Sequence, residues 1–598
     1  MNFTQLANKL VIDTEHYNIQ LKPAPDACFL TDKHTGRLYG FVAGGDCCKD
    51  GQKDMVQTAE PWDVCGHEAD GSIFAKSTMD SVLWGKKSFC ARFSEDALEF
   101  WHEINGVGAL DQIRFFRLSM GGCEFGFSAD IDEVYNVAPN FLERQCFHPA
   151  ETAIHDYGND LSLHSGGIAI ASVPQVFGLH DRRDKGYAVF SAFAEQGQYD
   201  WDSFIWNPEV TLPPTPYVGD CVKGGGFAID YYGKKAINGP WKSPSVCITF
   251  VDGEENVLAS ALEYAYGRNY LSRPATSHPG PAWWKEPIYC TWHDQEAMSQ
   301  GAKVDYMTPK PHPSGYFCTQ AIVDGWIKAL EDHDCKPGTV VLDDKWQVSL
   351  SSAEPDTTKW PDIRKWIDEC HKRGIRVFLW GMAWYREGIP EDECVTRNGE
   401  AICGDITNPK YEARLREMVR RYFSDAPDGL NADGLKLDGL LNLPTGAGLK
   451  NHKGIWGLEL QKYLLSVIYD EAKKARKDVC ISVFTANPYL DQYTDMVRLA
   501  DMYSWRITTK RSMEIRANVY RATHPGVLID TDGQLQFCAA PNYLDLLDTE
   551  ASIGIPTIYN AKILRRGHFF FNPVLSELTE EDYARIAKVF REYRERLK

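Results

Sequence analysis

Lys436 and Asp438 stand two residues apart in the stretch ADGLKLDGL at 432–440. In an extended strand both side chains then point to the same face. A lysine beside a carboxylate keeps it ionised, as a nucleophile must be. A salt bridge inside a core is the plainer alternative. Other short apolar runs end in the same residue types. PIYCTW closes on Trp292 and is followed by His293 and Asp294. TVVLDD closes on Asp343 and Asp344, ahead of Lys345, Trp346 and Gln347. IRVFLWG carries Trp380, with Trp384 and Arg386 beyond it. ADMYSW carries Asp501 and Trp505, followed by Arg506, and GVLIDTD carries Asp530 and Asp532. Aspartate is a poor strand former and costly to bury. Helix N-capping explains one such residue, but not a series of strand ends interleaved with tryptophan. Two carboxylates flanking a sugar ring can cleave a glycosidic bond: one attacks or stabilises C1, and the other protonates the leaving oxygen. Their environments must separate their pKa values. Aromatic residues make up 12% of the chain, with 17 Trp and 28 Tyr. They offer flat faces for sugar rings, although large proteins also place tryptophan in their cores.

These residues need a scaffold that gathers strand ends. From Pro287 onward, eight strand candidates alternate with amphipathic helices: PIYCTW, TVVLDD, IRVFLWG, ADGLKLDG, VCISVF, ADMYSW, GVLIDTD and IPTIYN. In PDIRKWIDECHKR, Pro361 is placed at the first helical position, and Ile363, Trp366, Ile367 and Cys370 form one face. Asn408 caps and Pro409 opens the next helix, whose stripe is Tyr411, Leu415, Met418, Val419 and Tyr422. Thr579 and Asp582 have capping-box spacing, with Asp in place of Glu or Gln. Eight such repeats predict a (β/α)8 TIM barrel over 288–598, with its site at the C-terminal ends of the strands. A doubly wound sheet would have fewer strands, and a glycine-rich first turn if it bound a nucleotide. No G-x-G-x-x-G follows the first strand.

Residues 1–270 read differently. Short alternating runs such as RLYGFVAG, LEFWHEI and QIRFFRL are separated by Gly, Asp and Asn, which predicts an N-terminal β-sandwich. A helix is expected from Glu254 to Tyr266, with Val257, Leu258, Ala261, Leu262 and Ala265 as its apolar face. Residues 271–287 form a linker dense in proline (Pro274, Pro279, Pro281, Pro287). The fold class is therefore multidomain β plus α/β.

Composition removes several function classes. The 598 residues carry 64 Lys and Arg against 83 Asp and Glu, a net charge of −19. That balance argues against nucleic acid as a partner. No apolar run approaches the ~18 residues of a membrane span. The first residues lack the pattern of a signal peptide. The 17 cysteines show no repeated spacing and read as reduced and mostly buried. Together these predict a cytoplasmic protein, compatible with a homo-oligomer. His293, His312, His333, His371 and His452 are dispersed, with no H-x-H or H-E-x-x-H, so no metal or other cofactor is expected.

The stretch ADGLKLDGL resembles the nucleophile strand of the α-galactosidase clan of glycoside hydrolases. VVLDDKWQ at 340–347 looks like that clan's second-strand motif, D-D-G-W-Q. The pairing is most similar to glycoside hydrolase family 36, in its raffinose-synthase-like and alkaline α-galactosidase branch. Family 31 is similar in the K-x-D strand. The resemblance implies a β-sandwich before the barrel and a retaining α-glycosidase acting on an oligosaccharide or glycoside. It makes Asp438 the nucleophile and Lys436 a hydroxyl-binding partner, with Asp343 and Asp344 accepting from O4 and O6. The family's acid/base segment, of R-x-S-D type, matches VRLADMYSW loosely and implies Arg498 in the sugar site and Asp501 as acid/base. Asp495 and Asp532 are the fallbacks. Trp292, Trp380 and Trp505 would line the sugar site. Two departures stand out. Lys345 replaces the motif's glycine, and about 38 residues follow the last strand candidate where the family has a further β-domain. The alternatives are an α-glucosidase or α-xylosidase of the family 31 type, a transglycosidase of the raffinose synthase type, and a non-catalytic carbohydrate-binding barrel.

Overall fold

The computed structural model describes residues 1–128, 131–136, 145–147, 176–181, 186–211, 223–300, 312–485, 487–499, 509–532, 543–566 and 574–598. From Asn2 to Asp252 the chain is β-rich. Among the described residues, its strands join through almost wholly antiparallel pairings into one branching sheet. The long strand Leu98–Phe115 pairs first with Ser245–Asp252 and then along Lys223–Lys242. Phe41, Phe89, Phe100, Phe116, Phe127 and Phe190 meet ring to ring at 5.1–6.5 Å. Each buried ring of this kind contributes on the order of 2–3 kcal/mol, which is why the alternating runs fold as strands around it. A 3-10 turn at Glu254–Asn256 leads into helix α1, Val257–Gly267, which buries the five residues of the expected apolar face. The described cysteines form no disulfide, and all but Cys65 and Cys123 are buried.

After the proline-rich segment, a 3-10 turn at Ala282–Lys285 places Trp284 beneath the parallel strands, its indole N–H on the Asp478 carbonyl at 3.1 Å. Among the described strands that follow, eight form one sheet: β1 (Ile288–Cys290), β2 (Thr339–Leu342), β3 (Arg376–Met382), β4 (Gly434–Asp438), β5 (Cys480–Val483), β6 (Met496–Arg498), β7 (Leu528–Asp530) and β8 (Thr557–Ile558). They lie in the order β7-β6-β5-β4-β3-β2-β1-β8, all parallel. A parallel bridge between Asp530 and Ile555 brings the two edges together, so the sheet is a nearly closed barrel. Alternate residues separate cleanly. Val340, Leu342, Leu379, Leu435, Ile481 and Val497 join the cluster shared with the surrounding helices. Cys290, Val341, Phe378, Cys480 and Met496 pack inside with Trp284. The same period of two carries Asp343, Trp380, Lys436, Asp438, Arg498 and Asp530 on the inner line.

The helices are α2 (Trp292–Gln300), α3 (Gln320–Asp332), α4 (Ile363–Lys372), α5 (Pro409–Phe423), α6 (Gly457–Ala475), α7 (Thr509–Thr523), α8 (Leu547–Ile553) and α9 (Glu580–Leu597). Among the described residues between β5 and β6, the one element is a 3-10 turn, Pro488–Tyr493. Asp362 caps α4 by accepting from Lys365 N, which moves Pro361 outside the helix rather than to its first position. Asn408 caps α5, and Thr579 and Asp582 form a complete capping box on α9.

The sixth strand departs from the sequence reading. Met496–Arg498 occupies that place, not ADMYSW, whose residues lie outside the described ones. Three residues are too few to express a period of two. The segment is fixed instead by its ladder, Val483 to Val497 on one side and Arg498 to Asp530 on the other. Arg498 is therefore the residue that ends β6.

Candidate active site

Asp438 ends β4. The chain then turns through Gly439 at φ 70°, where an added Cβ would lie 2.7 Å from the Met382 side chain. Only glycine takes this turn without strain. It brings Gly439 N to within 2.9 Å of Asp438 Oδ1. Trp380 on β3 donates its indole N–H to Oδ2 at 3.1 Å, and Arg498 donates to Oδ1 at 3.2 Å. The Asp438 side chain keeps 38% of its exposure, so it is gripped from below and open above. Burial works against its charge, but Arg498, Lys436 and the two N–H donors outweigh it. They hold the carboxyl below its ordinary range.

A chain of alternating charge runs from this carboxylate around the barrel. Arg498, almost fully buried, donates its other arm to Asp532 Oδ2 at 2.6 Å. Tyr559, just past β8, donates its hydroxyl to Asp532 Oδ1. Lys436 donates to the Tyr559 oxygen at 3.2 Å and to Asp343 Oδ2 at 2.8 Å. Cys290 on β1 donates its thiol to the same Asp343 oxygen at 3.1 Å. Asp343, Lys436 and Asp532 are all buried. Buried ions of this kind persist only because each has an opposite charge and hydrogen bonds. The surrounding carboxylates lift the Lys436 and Arg498 pKa values further, against burial, so both stay cationic.

Asp344 differs from its neighbour. It is half-buried, and among the described residues its carboxyl oxygens accept no hydrogen bond; its backbone N–H donates to Asp343 Oδ1 at 2.9 Å and its carbonyl accepts from the Gln295 amide at 3.2 Å. Burial, then the Asp343 charge and Glu387, push its pKa up to about 7, with Lys345 and Lys359 pulling the other way. Lys345 sits at φ 70°, in the left-handed region the related glycine would take freely. Its ammonium pairs with Glu387.

The structure thus brings together Asp343, Asp344, Lys436, Asp438, Trp380 and Arg498. Trp292 is half-buried against the barrel interior beside β1. Asp501 and Trp505 lie outside the described residues. The two fallback aspartates separate. Asp532 is at the mouth, bound to Arg498 and Tyr559. Asp495 precedes β6 at the far end of the barrel, accepting from Tyr469 at 3.1 Å, Lys473 at 2.8 Å and Ile481 N at 2.8 Å. Two other strand-end residues are fasteners. Asp294 accepts from Tyr289 and from Ala561 N and Ile563 N beyond β8. Asp530 accepts from Thr557 at 2.5 Å, tying β7 to β8. Trp346 is fully buried and donates to the Trp380 carbonyl at 3.0 Å. Tyr559 and Cys290 were missed from the sequence. Tyr559 stands near the end of the eighth strand candidate, IPTIYN, just as Asp and Trp stand at the ends of others, which is the signal that could have found it. Cys290 is indistinguishable there from any buried cysteine. Among the described residues no group of three or more His, Cys, Asp or Glu is arranged to hold a metal ion.

No family model and no curated protein matches the sequence. Solved structures do match its fold. An alpha-N-acetylgalactosaminidase from Bifidobacterium bifidum, in complex with GalNAc, is 11% identical with a TM-score of 0.58, over 98% of this chain and 92% of that one. A quadruple mutant of the same protein gives 10% identity and a TM-score of 0.60, over 98% and 93%. A GH31 family sulfoquinovosidase from E. rectale, in complex with an aza-sugar inhibitor, is 13% identical with a TM-score of 0.52, over 99% and 83%. At these identities the likeness is one of fold, and it spans both the β-rich region and the barrel.

Proposed function

We propose that this chain is a retaining α-glycoside hydrolase. The observation that carries the reading is Asp438. It is a carboxylate at the open end of a barrel, kept ionised by Arg498 and Lys436 and aimed by Trp380 and Gly439 N. That is the condition of a nucleophile for C1. Solved structures similar in fold include one named as an alpha-N-acetylgalactosaminidase and one named as a sulfoquinovosidase. Asp501 is our candidate for the acid/base. Asp343 and Asp344 are adjacent acceptors suited to two neighbouring hydroxyls, and an axial O4 beside O6 offers such a pair. The substrate we favour is accordingly a terminal α-galactoside. Lys436 serves chiefly to hold Asp343.

A second reading rests on Asp344. Its carboxyl is the described one at the mouth that is raised to about 7, and it is held by no described donor. A general acid needs such a proton at neutral pH, so Asp344 could itself be the donor. One experiment addresses both readings. Wild type and the variants Asp438→Ala, Asp501→Ala and Asp344→Ala are assayed on aryl α-galactosides, α-glucosides and α-xylosides, with and without azide. We expect wild type to prefer galactosides and Asp438→Ala to lose at least a thousandfold in kcat, about 4 kcal/mol of barrel-imposed stabilisation. Azide rescue that yields the α-glycosyl azide should single out the acid/base variant, because azide then attacks the glycosyl-enzyme without base help, whereas direct attack in Asp438→Ala would invert the anomeric centre. Rescue of Asp344→Ala rather than Asp501→Ala selects the second reading. Preference for glucosides removes the galactose assignment alone. Full activity of Asp438→Ala removes the mechanism.

A further inference from the structure

Among the described residues from Ala282 onward, four large apolar side chains are exposed: Tyr316 at 54%, Val348 at 57%, Tyr385 at 46% and Leu597 near the C-terminus at 43%. The first three belong to the segments that follow β1, β2 and β3. They therefore gather on one side of the barrel mouth, beyond Asp343, Asp344 and Trp380. Exposed large apolar groups concentrated beside a pocket mark a surface that something covers.

The three segments interlock. Gly315 lies so close to Lys345 that an added Cβ would fall 2.6 Å from its side chain. Lys345 reaches on to Glu387, two residues past Tyr385. Lys359 ties the Gly315 carbonyl at 3.1 Å to the Lys345 carbonyl at 2.6 Å. A Cβ on Gly388 would fall 2.4 Å from Ser349 Oγ, beside Val348. The residue at the centre of this lock, Lys345, holds its strained left-handed backbone there. The Tyr316 ring is itself fixed. His312 stacks on it at 4.2 Å and 10°, and Phe317 meets it edge-on at 5.2 Å and 82°. A ring already held loses little freedom when a ligand covers it.

The neighbouring stretch of the mouth is differently used. The segments after β4 and β5 are engaged by the N-terminal region: Gly446 N donates to Asp202 at 2.7 Å and Gly197 N to the Tyr489 hydroxyl at 2.9 Å. A sugar whose C1 faces Asp438 has its ring down in the barrel, so the group it is linked to must emerge at the rim. Among the described residues, the β1–β3 side of the rim is left free. It offers aromatic faces with ionised hydrogen-bonding groups between them, a combination that matches the C–H faces and hydroxyls of a saccharide better than a wholly apolar partner.

We propose that Tyr316 and Tyr385 form a platform for the leaving-group sugar of an α-linked oligosaccharide, built on the loop unit that Lys345 and Lys359 lock together. The proposal rests on the glycosidase reading and names the second sugar position of that same site. Its test includes a measurement that does not require turnover. Calorimetric binding of galactose and of an α-galactosyl trisaccharide is compared in the Asp438→Asn protein, with and without Tyr316→Ala or Tyr385→Ala. Each alanine should weaken trisaccharide binding about tenfold and leave galactose within twofold, and Tyr316→Phe and Tyr385→Phe should restore it. In the active protein, the same alanines should lower kcat/KM about tenfold on the trisaccharide and leave an α-galactosyl fluoride, whose leaving group has no ring, unchanged. Equal effects on both ligands, no effect on either, or no saccharide binding overturns the platform. Residual hydrolysis by Asp438→Asn would instead count against the nucleophile, while the binding comparison still judges the platform.

Discussion

Replacing Arg498 with methionine removes one charge from between two carboxylates, and its consequences can be worked through. Arg498 donates to Asp532 at 2.6 Å and to Asp438 at 3.2 Å. Asp532 is fully buried and, among the described donors, would keep only the Tyr559 hydroxyl. Stranding a buried charge in this way costs about 3–5 kcal/mol of stability. The effect on Asp438 is gentler. A unit charge at 3.2 Å in an effective dielectric of 20 is worth about 5 kcal/mol. The half-open position of Asp438 reduces this to about 2 kcal/mol, or roughly 1.5 pKa units. In wild type the Asp438 carboxyl is held below its unfolded value. It therefore contributes stability above the unfolded pKa, and that contribution is lost as pH falls through the folded pKa. In Arg498→Met the folded pKa rises, so the acid limb of kcat/KM on an aryl α-galactoside should move up by about 1–1.5 units, while urea unfolding at pH 7 reports the stability loss. The double variant Arg498→Met/Asp532→Asn separates the two effects. It should recover most of the stability, because no buried charge is stranded, and leave the acid limb displaced. An unshifted acid limb in a folded Arg498→Met protein refutes control of Asp438 by Arg498. A double variant no more stable than the single one refutes the stranded-charge account.

Two further outcomes follow from the second strand. Asp344 has a folded pKa of about 7 against an ordinary 3.8, so its charged form burdens the fold above pH 7, and the burden fades as pH falls toward 4. Asp344→Asn should accordingly gain about 2 kcal/mol at pH 8, after discounting for the partly exposed carboxyl. The gain should vanish near pH 4, and equal thermal shifts at both pH values would contradict it. Lys345→Gly relieves a left-handed backbone worth about 1 kcal/mol and gives up the half-exposed pair with Glu387, worth less than that. Its Tm should therefore stay level or rise, while its KM for oligosaccharides should increase as the interlocked loops loosen. A lowered Tm with unchanged KM would contradict both parts.

Much of the site was legible because its signal is local. In β4 the period of two places Lys436 and Asp438 on one face whatever the rest of the chain does, and an apolar strand has no cause of its own to end in carboxylates. The same holds for Asp343 and Trp380, for the α1 and α4 apolar faces, and for the Asn408 and Thr579 caps, each decided by residues within a few positions. The sixth strand was not legible. Three residues carry no period, and Met496–Arg498 is a strand only because β5 and β7 offer ladders on either side. For the same reason strand-end aspartates that look alike in sequence divide by what the fold brings to them. Asp294 receives backbone donors from beyond β8, Asp530 fastens β7 to β8, and Asp495 sits at the opposite end of the barrel. The charge order Asp343, Lys436, Asp532, Arg498, Asp438, with Tyr559 set into it, joins residues as far apart in the chain as Asp343 and Tyr559. Sequence fixes which groups can ionise. Only the closing of the sheet sets which of them share a low-dielectric interior, and that contact decides which carboxyl is held charged and which is pushed toward neutrality.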